Sequence, residues 1–447
     1  LSPLQQGLLY HAQLKADIQS GLQQLVIQLD GHLDVTQLHY AISVVCRRHA
    51  PLRTQFSSKL EEPVQMVIDA VPDFSVLDLR YESIDEYDSR IAGIKQADVH
   101  TPFSLFNQVP VRFQYVIGPE NRSVLFFTIH HIIYDGWSND ILLKELTSVY
   151  NGDELEPITG HWATIAVESA IKARRLTESY WYPYLKDLPE MSPLKWARST
   201  EPNLVDATEN ADVVIKTDLL PALQNQVKAL NASVSTLIQA AWGTTLIVLG
   251  THESVTMGCV FSGRYGLSVE VADHVGLFIS TVPFKVTYDA QQTVAEYIES
   301  VHQSMMMHQE HAFVSLPELS SELGVQEVFD SILVIENYPL NSDLYPFINA
   351  EGSQVTITEY AFHSEESVPL TVCVNYHPQF SIDIRFDPRQ FTSSSTRKIA
   401  ETFEFILKTM AESGHQTMSD VQAAWKRTQS DKLKSKSLGK ILSLKNK

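Results

Sequence analysis

Segments patterned for helices and segments patterned for strands alternate along this chain from end to end. That alternation restricts it to an α/β fold. "DVTQLHYAISVVCRRH" sets Leu38, Ala41, Ile42, Val45 and Cys46 on one stripe at helical spacing. "VPVRFQYVIG" and "SVLFFTIHH" read as consecutive strands joined by the turn-forming "PENR". "SNDILLKELTSVYNG" follows as a helix, with Ser138 its expected N-cap and Gly152 past its end. A further helical stretch, "ESAIKARRLTESYWYPYLKDL", closes this half near residue 187.

The pattern then breaks. Residues 188–210 are rich in proline and polar side chains and read as a linker. Beyond them come strand "DVVIKTDL", helix "SVSTLIQAAWGTTLIVLG" and strand "SVTMGCVFSG". Strands "VFDSILVIENYPL", "QVTITEYAF", "PLTVCVNYH" and "FSIDIRFDP" follow, and helix "SSSTRKIAETFEFILKTMAESG" ends the alternation. At 447 residues the chain exceeds one typical domain, so two α/β lobes are expected, 1–187 and 211–425. No repeat at the residue level relates them. Residues 426–447 are basic, Ser-rich and poorly periodic, which fits a disordered linker or tail.

Charge divides the chain at the same place. From Lys426 onward eight basic residues face one acid, Asp431, so the tail is +7 and residues 1–425 carry −26. So acidic a body repels phosphate backbones, which excludes nucleic acid as its main partner. Cys46, Cys259 and Cys373 are far apart without CxxC spacing, as expected of buried free thiols in a reducing compartment. There is neither a membrane-spanning run nor a basic-then-apolar leader, so the expected location is cytoplasmic, away from membranes. The abrupt opening "LSPLQQGLLYHAQL" lacks an initiator methionine, as in a segment cut from a longer protein.

The chemistry concentrates in "HHIIYDG", residues 130–136. Histidine titrates nearest neutrality and can take a proton in one step and return it in the next. Neighbouring side chains at a strand end point to opposite faces, so His130 and His131 divide into one packed ring and one that faces substrate. Asp135 returns toward the loop as the helix begins, where its carboxylate can pair with an arginine. Gly136 lets a substrate approach the backbone near a helix start. With 16 His and 18 Gly in the chain, HHxxxDG arises by chance in on the order of one such chain in a thousand. Zinc binding competes for these histidines, and for His308 and His311 of "HQEH", but it needs a third ligand and would take Asp135 from its structural role. A serine hydrolase is disfavoured because no GxSxG elbow occurs.

These residues resemble the condensation domains of nonribosomal peptide synthetases, within the chloramphenicol-acetyltransferase-like acyltransferases that share HHxxxDG. "LSPLQQGLLYH", "RRHAPLRTQF", "HHIIYDGWS", "ESYWYPYL", "VFSGR", "VGLFISTVPFKV" and "VFDSILVIENYPL" fall in family order over nearly the whole chain. The resemblance implies a V-shaped pair of acetyltransferase-like lobes with a central tunnel. It implies amide formation between a donor acyl- or peptidyl-thioester and the α-amine of an acceptor aminoacyl-thioester. Both substrates would ride on 4'-phosphopantetheine arms of upstream and downstream carrier proteins, beside neighbours such as adenylation domains. The domain itself would bind no cofactor and no metal, and an excised copy would be monomeric.

By the same resemblance, His131 handles the proton or orients the amine, and Gly136 lends its N–H or leaves room for the reacting centre. His130 and Asp135 are structural, with Asp135 expected to pair with Arg264 of the second lobe. Reversing both charges is expected to restore what either single reversal destroys. Trp137, Ser280 and Ser367 are candidates for the tunnel and substrate contacts. Three departures touch that region: Ser280 in place of an asparagine, Lys285 in place of an arginine, and "SVPL" (Ser367 to Leu370) in place of an Asn/His-Tyr-Pro-Leu. They bear on acceptor selectivity. Two alternatives share the fold: a catalytically silent docking module that recruits a tailoring enzyme or carrier, and an epimerisation domain. A heterocyclisation domain would replace the histidines by aspartates, and a plant-type acyltransferase would carry a late "DFGWG"; neither pattern is present.

Overall fold

The computed structural model describes residues 1–14, 21–60, 63–187, 193–198, 211–336, 346–348, 352–364, 368–376 and 379–445. Of the expected linker, only 193–198 lie among these.

Helix α1 (Pro3–Leu14) precedes strand β1 (Leu22–Asp30) and helix α2 (Val35–Arg48). Asp34 caps α2 by accepting from the Gln37 N–H at 2.8 Å, and the stripe Leu38, Ala41, Ile42, Val45 and Cys46 is its buried face. A hairpin of β2 (Thr54–Ser57) and β3 (Val64–Val67) follows, then β4 (Asp73–Asp78) and α3 (Ile84–Val99). The strands β5 (Val111–Ile117) and β6 (Arg122–His130) lead to α4 (Ser138–Tyr150). β6 is apolar without alternation because both its faces are covered. Leu125, Phe127 and Ile129 pack with α2 and α4, whereas Val124 and Phe126 pack with Tyr87 of α3. α5 (Trp162–Leu176) continues through a π-helical segment, Thr177–Trp181, into α6 (Tyr182–Leu185).

The second half supplies β7 (Ala211–Lys216), α7 (Leu220–Leu230), α8 (Val234–Gly250), β8 (Ser254–Phe261) and β9 (Ser280–Thr287). α9 (Val294–Glu310), α10 (Leu316–Leu323), β10 (Ile332–Glu336), β11 (Phe347–Ile348) and β12 (Gln354–Ser364) come next. β13 (Leu370–Asn375), β14 (Ser381–Phe386), α11 (Ser393–Glu412) and α12 (Met418–Lys445) complete the chain. α8 is buried almost all round, as its predominantly apolar sequence requires, and α11 packs on it. Among the described residues no single helix is long and apolar enough to cross a membrane. Cys46, Cys259 and Cys373 are free and buried, and burial pushes the Cys46 thiol up to about 12.

Two six-stranded sheets result, ordered β11-β12-β1-β6-β5-β4 and β7-β14-β13-β10-β8-β9. The first draws strands from both halves of the chain. β12 comes from the second half of the chain yet pairs antiparallel with β1, from Gln23↔Ser364 to Asp30↔Thr356. The edge of β1 beyond β6 carries unpaired backbone groups, and β12 satisfies them. The tail departs from expectation. α12 runs unbroken to Lys445, so the expected boundary at 425 falls inside a helix. Its first turn is well nucleated: Thr417 Oγ1 and Asp420 bond reciprocally, and Met418 and Val421 are fully buried, so adding further turns is favourable.

Candidate active site

β6 delivers the two histidines and then yields to a single 3₁₀ turn, His131–Ile133. His130, the last strand residue, is buried, and its Nδ1 accepts from the Ile132 N–H at 3.1 Å. Its ring rests on Gly21, whose φ is +88° and where an added Cβ would come within 2.8 Å of the imidazole. Only glycine meets both conditions. His131 is half-buried. Its backbone N–H donates to the Gly21 carbonyl at 2.6 Å, and its Nδ1 lies 2.5 Å from the Tyr134 carbonyl. A carbonyl has no proton to offer, so Nδ1 carries a hydrogen, and in the neutral ring the lone pair is on Nε2. Tyr134 itself is buried with its phenol donating to Asn139 at 2.5 Å, and burial pushes its pKa well above the usual phenol value.

Asp135 has no solvent exposure. Its Oδ1 accepts from the Ser138 hydroxyl at 3.0 Å, the Ser138 N–H at 3.2 Å and the Arg264 guanidinium at 3.0 Å. Its Oδ2 accepts from the N–H groups of Phe278 at 2.9 Å and Ile279 at 3.3 Å. Arg264 also donates to the carbonyls of Val271 at 2.8 Å and His274 at 2.7 Å, and its guanidinium lies over the Phe278 ring. Gly263 permits this approach: its φ is +60°, and an added Cβ would sit 1.8 Å from the Phe278 carbonyl oxygen. The geometry revises the charge-reversal expectation. A carboxylate at 264 would face two carbonyls, and a guanidinium at 135 would face two N–H groups, so the double reversal cannot restore the pair. Ser138 also departs from expectation. It is the first residue of α4, and Asp135 receives its N–H, while the Ser138 hydroxyl accepts from the Gly276 N–H at 3.2 Å.

Gly136 is half-buried and Trp137 is 45% exposed. Among the described residues no acceptor takes the Gly136 N–H. Ser280 opens β9 opposite Phe261, directly after the Ile279 that binds Asp135. Lys285 donates its backbone N–H to the Tyr184 hydroxyl at 3.0 Å. Ser367 lies outside the described residues. Among the described residues no group of three or more His, Cys, Asp or Glu side chains is placed to hold a metal ion, at His308 and His311 or at the paired histidines. His308 is buried among Tyr180, Trp181, Tyr184 and Phe284, takes a hydrogen bond with the Tyr180 hydroxyl at 2.9 Å, and is pushed down to about 4 by burial. His311 stacks on Tyr180 at 4.0 Å.

Two groups escaped the sequence reading. His49 accepts from the Val275 N–H at 3.4 Å through Nδ1, so its Nε2 donates to Glu145 at 2.7 Å, and Arg48 donates to the same carboxylate at 2.9 Å. This triad, buried at His49 and Glu145, is a second tie from α2 and α4 to the Val275–Phe278 segment, and "RRH" was its only trace. Gln5 of α1 donates to the Ile132 carbonyl at 3.0 Å. The spacing Ser2-x-x-Gln5, a helix-start signature, was the available signal.

The sequence model of the condensation domain matches residues 1–432. Tyrocidine synthase 2 of Brevibacillus parabrevis is 30% identical over 87% of this chain, and vanchrobactin synthetase VabF of Vibrio anguillarum 28% identical over 91%. The chain spans only 11% and 14% of those two proteins. The starter condensation domain of rhizomide synthetase RzmA superposes with a TM-score of 0.76 at 17% identity, covering 94% of this chain and 97% of that one. The first condensation domain of the calcium-dependent antibiotic synthetase, solved with a substrate analogue, gives 0.73, also at 17% identity. The fold is therefore the acetyltransferase-like one, and the chain belongs to the condensation-domain family of nonribosomal peptide synthetases.

Proposed function

We propose that this domain forms an amide bond between a donor acyl- or peptidyl-thioester and the α-amine of an acceptor aminoacyl-thioester, each carried on a phosphopantetheine arm that enters a tunnel between the lobes. The observation that carries this reading is the hydrogen bond from His131 Nδ1 to the Tyr134 carbonyl, which leaves Nε2 able to accept a proton.

The amine nitrogen attacks the thioester carbon, and the carbonyl π electrons move to oxygen. His131 Nε2 takes a proton from the nitrogen. The Gly136 N–H, near the start of α4, supports the developing oxyanion. Collapse re-forms the carbonyl, breaks the carbon–sulfur bond, and the departing thiolate takes the proton from the imidazolium. Tethering both reactants removes much of the entropic barrier, so one proton carrier and one oxyanion donor suffice. Asp135 and Arg264 hold the turn and the Val275–Ile279 segment in register. Trp137 and Ser280 border the acceptor side, and Ser367 belongs with them by motif.

The test is single-turnover transfer between two loaded carrier proteins, wild type against His131→Ala. A loss of about 10²–10⁴-fold is expected. Equal product from both proteins would instead favour a docking module, and inversion of the tethered residue without amide formation would favour epimerisation.

A further inference from the structure

α1 begins with a reciprocal cap. The Ser2 N–H donates to the Gln5 Oε1 at 2.9 Å, and the Gln5 N–H donates to the Ser2 hydroxyl at 3.2 Å. Pro3 fills the first helical position, where a missing N–H does no harm. The cap has a consequence beyond the helix start. Because Oε1 is held by a donor, the other end of the amide must be Nε2, and it points away from α1 into the protein. There it donates to the Ile132 carbonyl at 3.0 Å. Gln5 is 2% exposed and Ile132 fully buried, so no water competes for this bond.

The Ile132 carbonyl belongs to the turn that holds His131. Within that turn the Tyr134 N–H reaches the His131 carbonyl at 3.2 Å, and His130 takes the Ile132 N–H. The next peptide, which carries the Ile132 carbonyl, is tied to the rest of the lobe by Gln5. Gln65 of β3 lies beside the Gln5 amide, its Nε2 donating to Gln5 Oε1 at 3.3 Å, and its Oε1 accepts from the Trp162 indole at 3.4 Å. The amide is thus fixed from both ends.

We propose that Gln5 is a positioning residue: by holding the Ile132 carbonyl it fixes the 3₁₀ turn and so aims the His131 Nε2 at the reacting amine. This rests on the reading of His131 given above. Loss of the bond frees the peptide to rotate, and the His131–Tyr134 contact that sets the tautomer spans the same turn.

The substitution that isolates this role is Gln5→Glu. A glutamate serves the Ser2 cap as well as glutamine does, but when ionised it has no proton for the Ile132 carbonyl. Full-length protein with ¹⁵N-labelled histidine reports the tautomer directly, with the His131 signal assigned by its loss in His131→Ala. In wild type, His131 is expected as the Nδ1–H form. In Gln5→Glu and Gln5→Ala the signal should shift toward a mixed or exchanging tautomer, while in Ser2→Ala, which breaks only the cap, it should stay. In single-turnover transfer, Gln5→Glu should lose about 10–100-fold in the bond-forming rate with KM for the carriers within about twofold. Its deficit relative to wild type should narrow as the pH falls and the glutamate regains a proton to donate. A His131 signal unchanged in both Gln5 variants overturns the proposal, as does equal damage from Ser2→Ala and Gln5→Ala, which would mean a helix cap and nothing more. If His131→Ala forms as much product as wild type, the functional reading fails instead, and the ¹⁵N spectra still decide whether Gln5 holds the turn.

Discussion

Asp135 carries its charge without any solvent contact, and five donors around it make that tolerable. Removing the carboxylate leaves the buried Arg264 charge without its counter-ion and the N–H groups of Ser138, Phe278 and Ile279 without their acceptor. Asp135→Ala is therefore expected to lose about 3–5 kcal/mol of unfolding free energy in urea. The double reversal Asp135→Arg with Arg264→Asp should be no more stable than either single reversal, measured the same way. At this scale the sequence was informative about which side chains matter and silent about what they touch. HHxxxDG and "VFSGR" are written in side-chain identities, and a reader can find them. The N–H groups of Phe278 and Ile279 and the carbonyls of Val271 and His274 are backbone, present at every residue, so no letter marks them. Ser138 was misread for the same reason: a serine before a helix normally caps it, but here its hydroxyl is drawn to Asp135 and Gly276 across the fold.

The helix that closes the first half reads in sequence as one continuous element, and its π-helical interruption at Thr177–Trp181 left no mark on the apolar spacing. The interruption and the start of α6 present three groups to the second half. The Trp181 indole N–H lies 3.1 Å from the carbonyls of both His311 and Phe313. The Thr177 hydroxyl accepts from the Ser315 N–H at 2.8 Å, and the Tyr184 hydroxyl accepts from the Lys285 N–H. Trp181→Phe keeps most of the ring volume but removes the only donor the indole offers. A destabilisation of about 1–3 kcal/mol is expected, with a matching fall in the thermal midpoint. α12 shows the converse error. Its lysines and serines suggested disorder on composition, whereas a packed and capped first turn removes the cost of starting a helix.

At the level of the whole molecule, the two halves and their order were legible because each carries its own run of alternating periods. The exchange of β12 was not, because a strand's pattern says which face is buried and nothing about which neighbour it joins. The exchange makes the lobes mutually dependent. A fragment ending at residue 210 would present the β1 edge, with Leu25 and Ile27 beneath it, to solvent. Size-exclusion chromatography of that fragment should show aggregate, and a monomer with a cooperative melt would contradict the interlock.

The loan of β12 also sets a timetable. A nascent chain emerging from the ribosome tends to fold its leading portion first, but here the leading sheet lacks a strand that ends only at Ser364. Until that point has left the exit channel, the edge of β1 away from β6 must stay solvated or borrow a temporary neighbour, so this is the stretch of translation during which the protein most needs a chaperone.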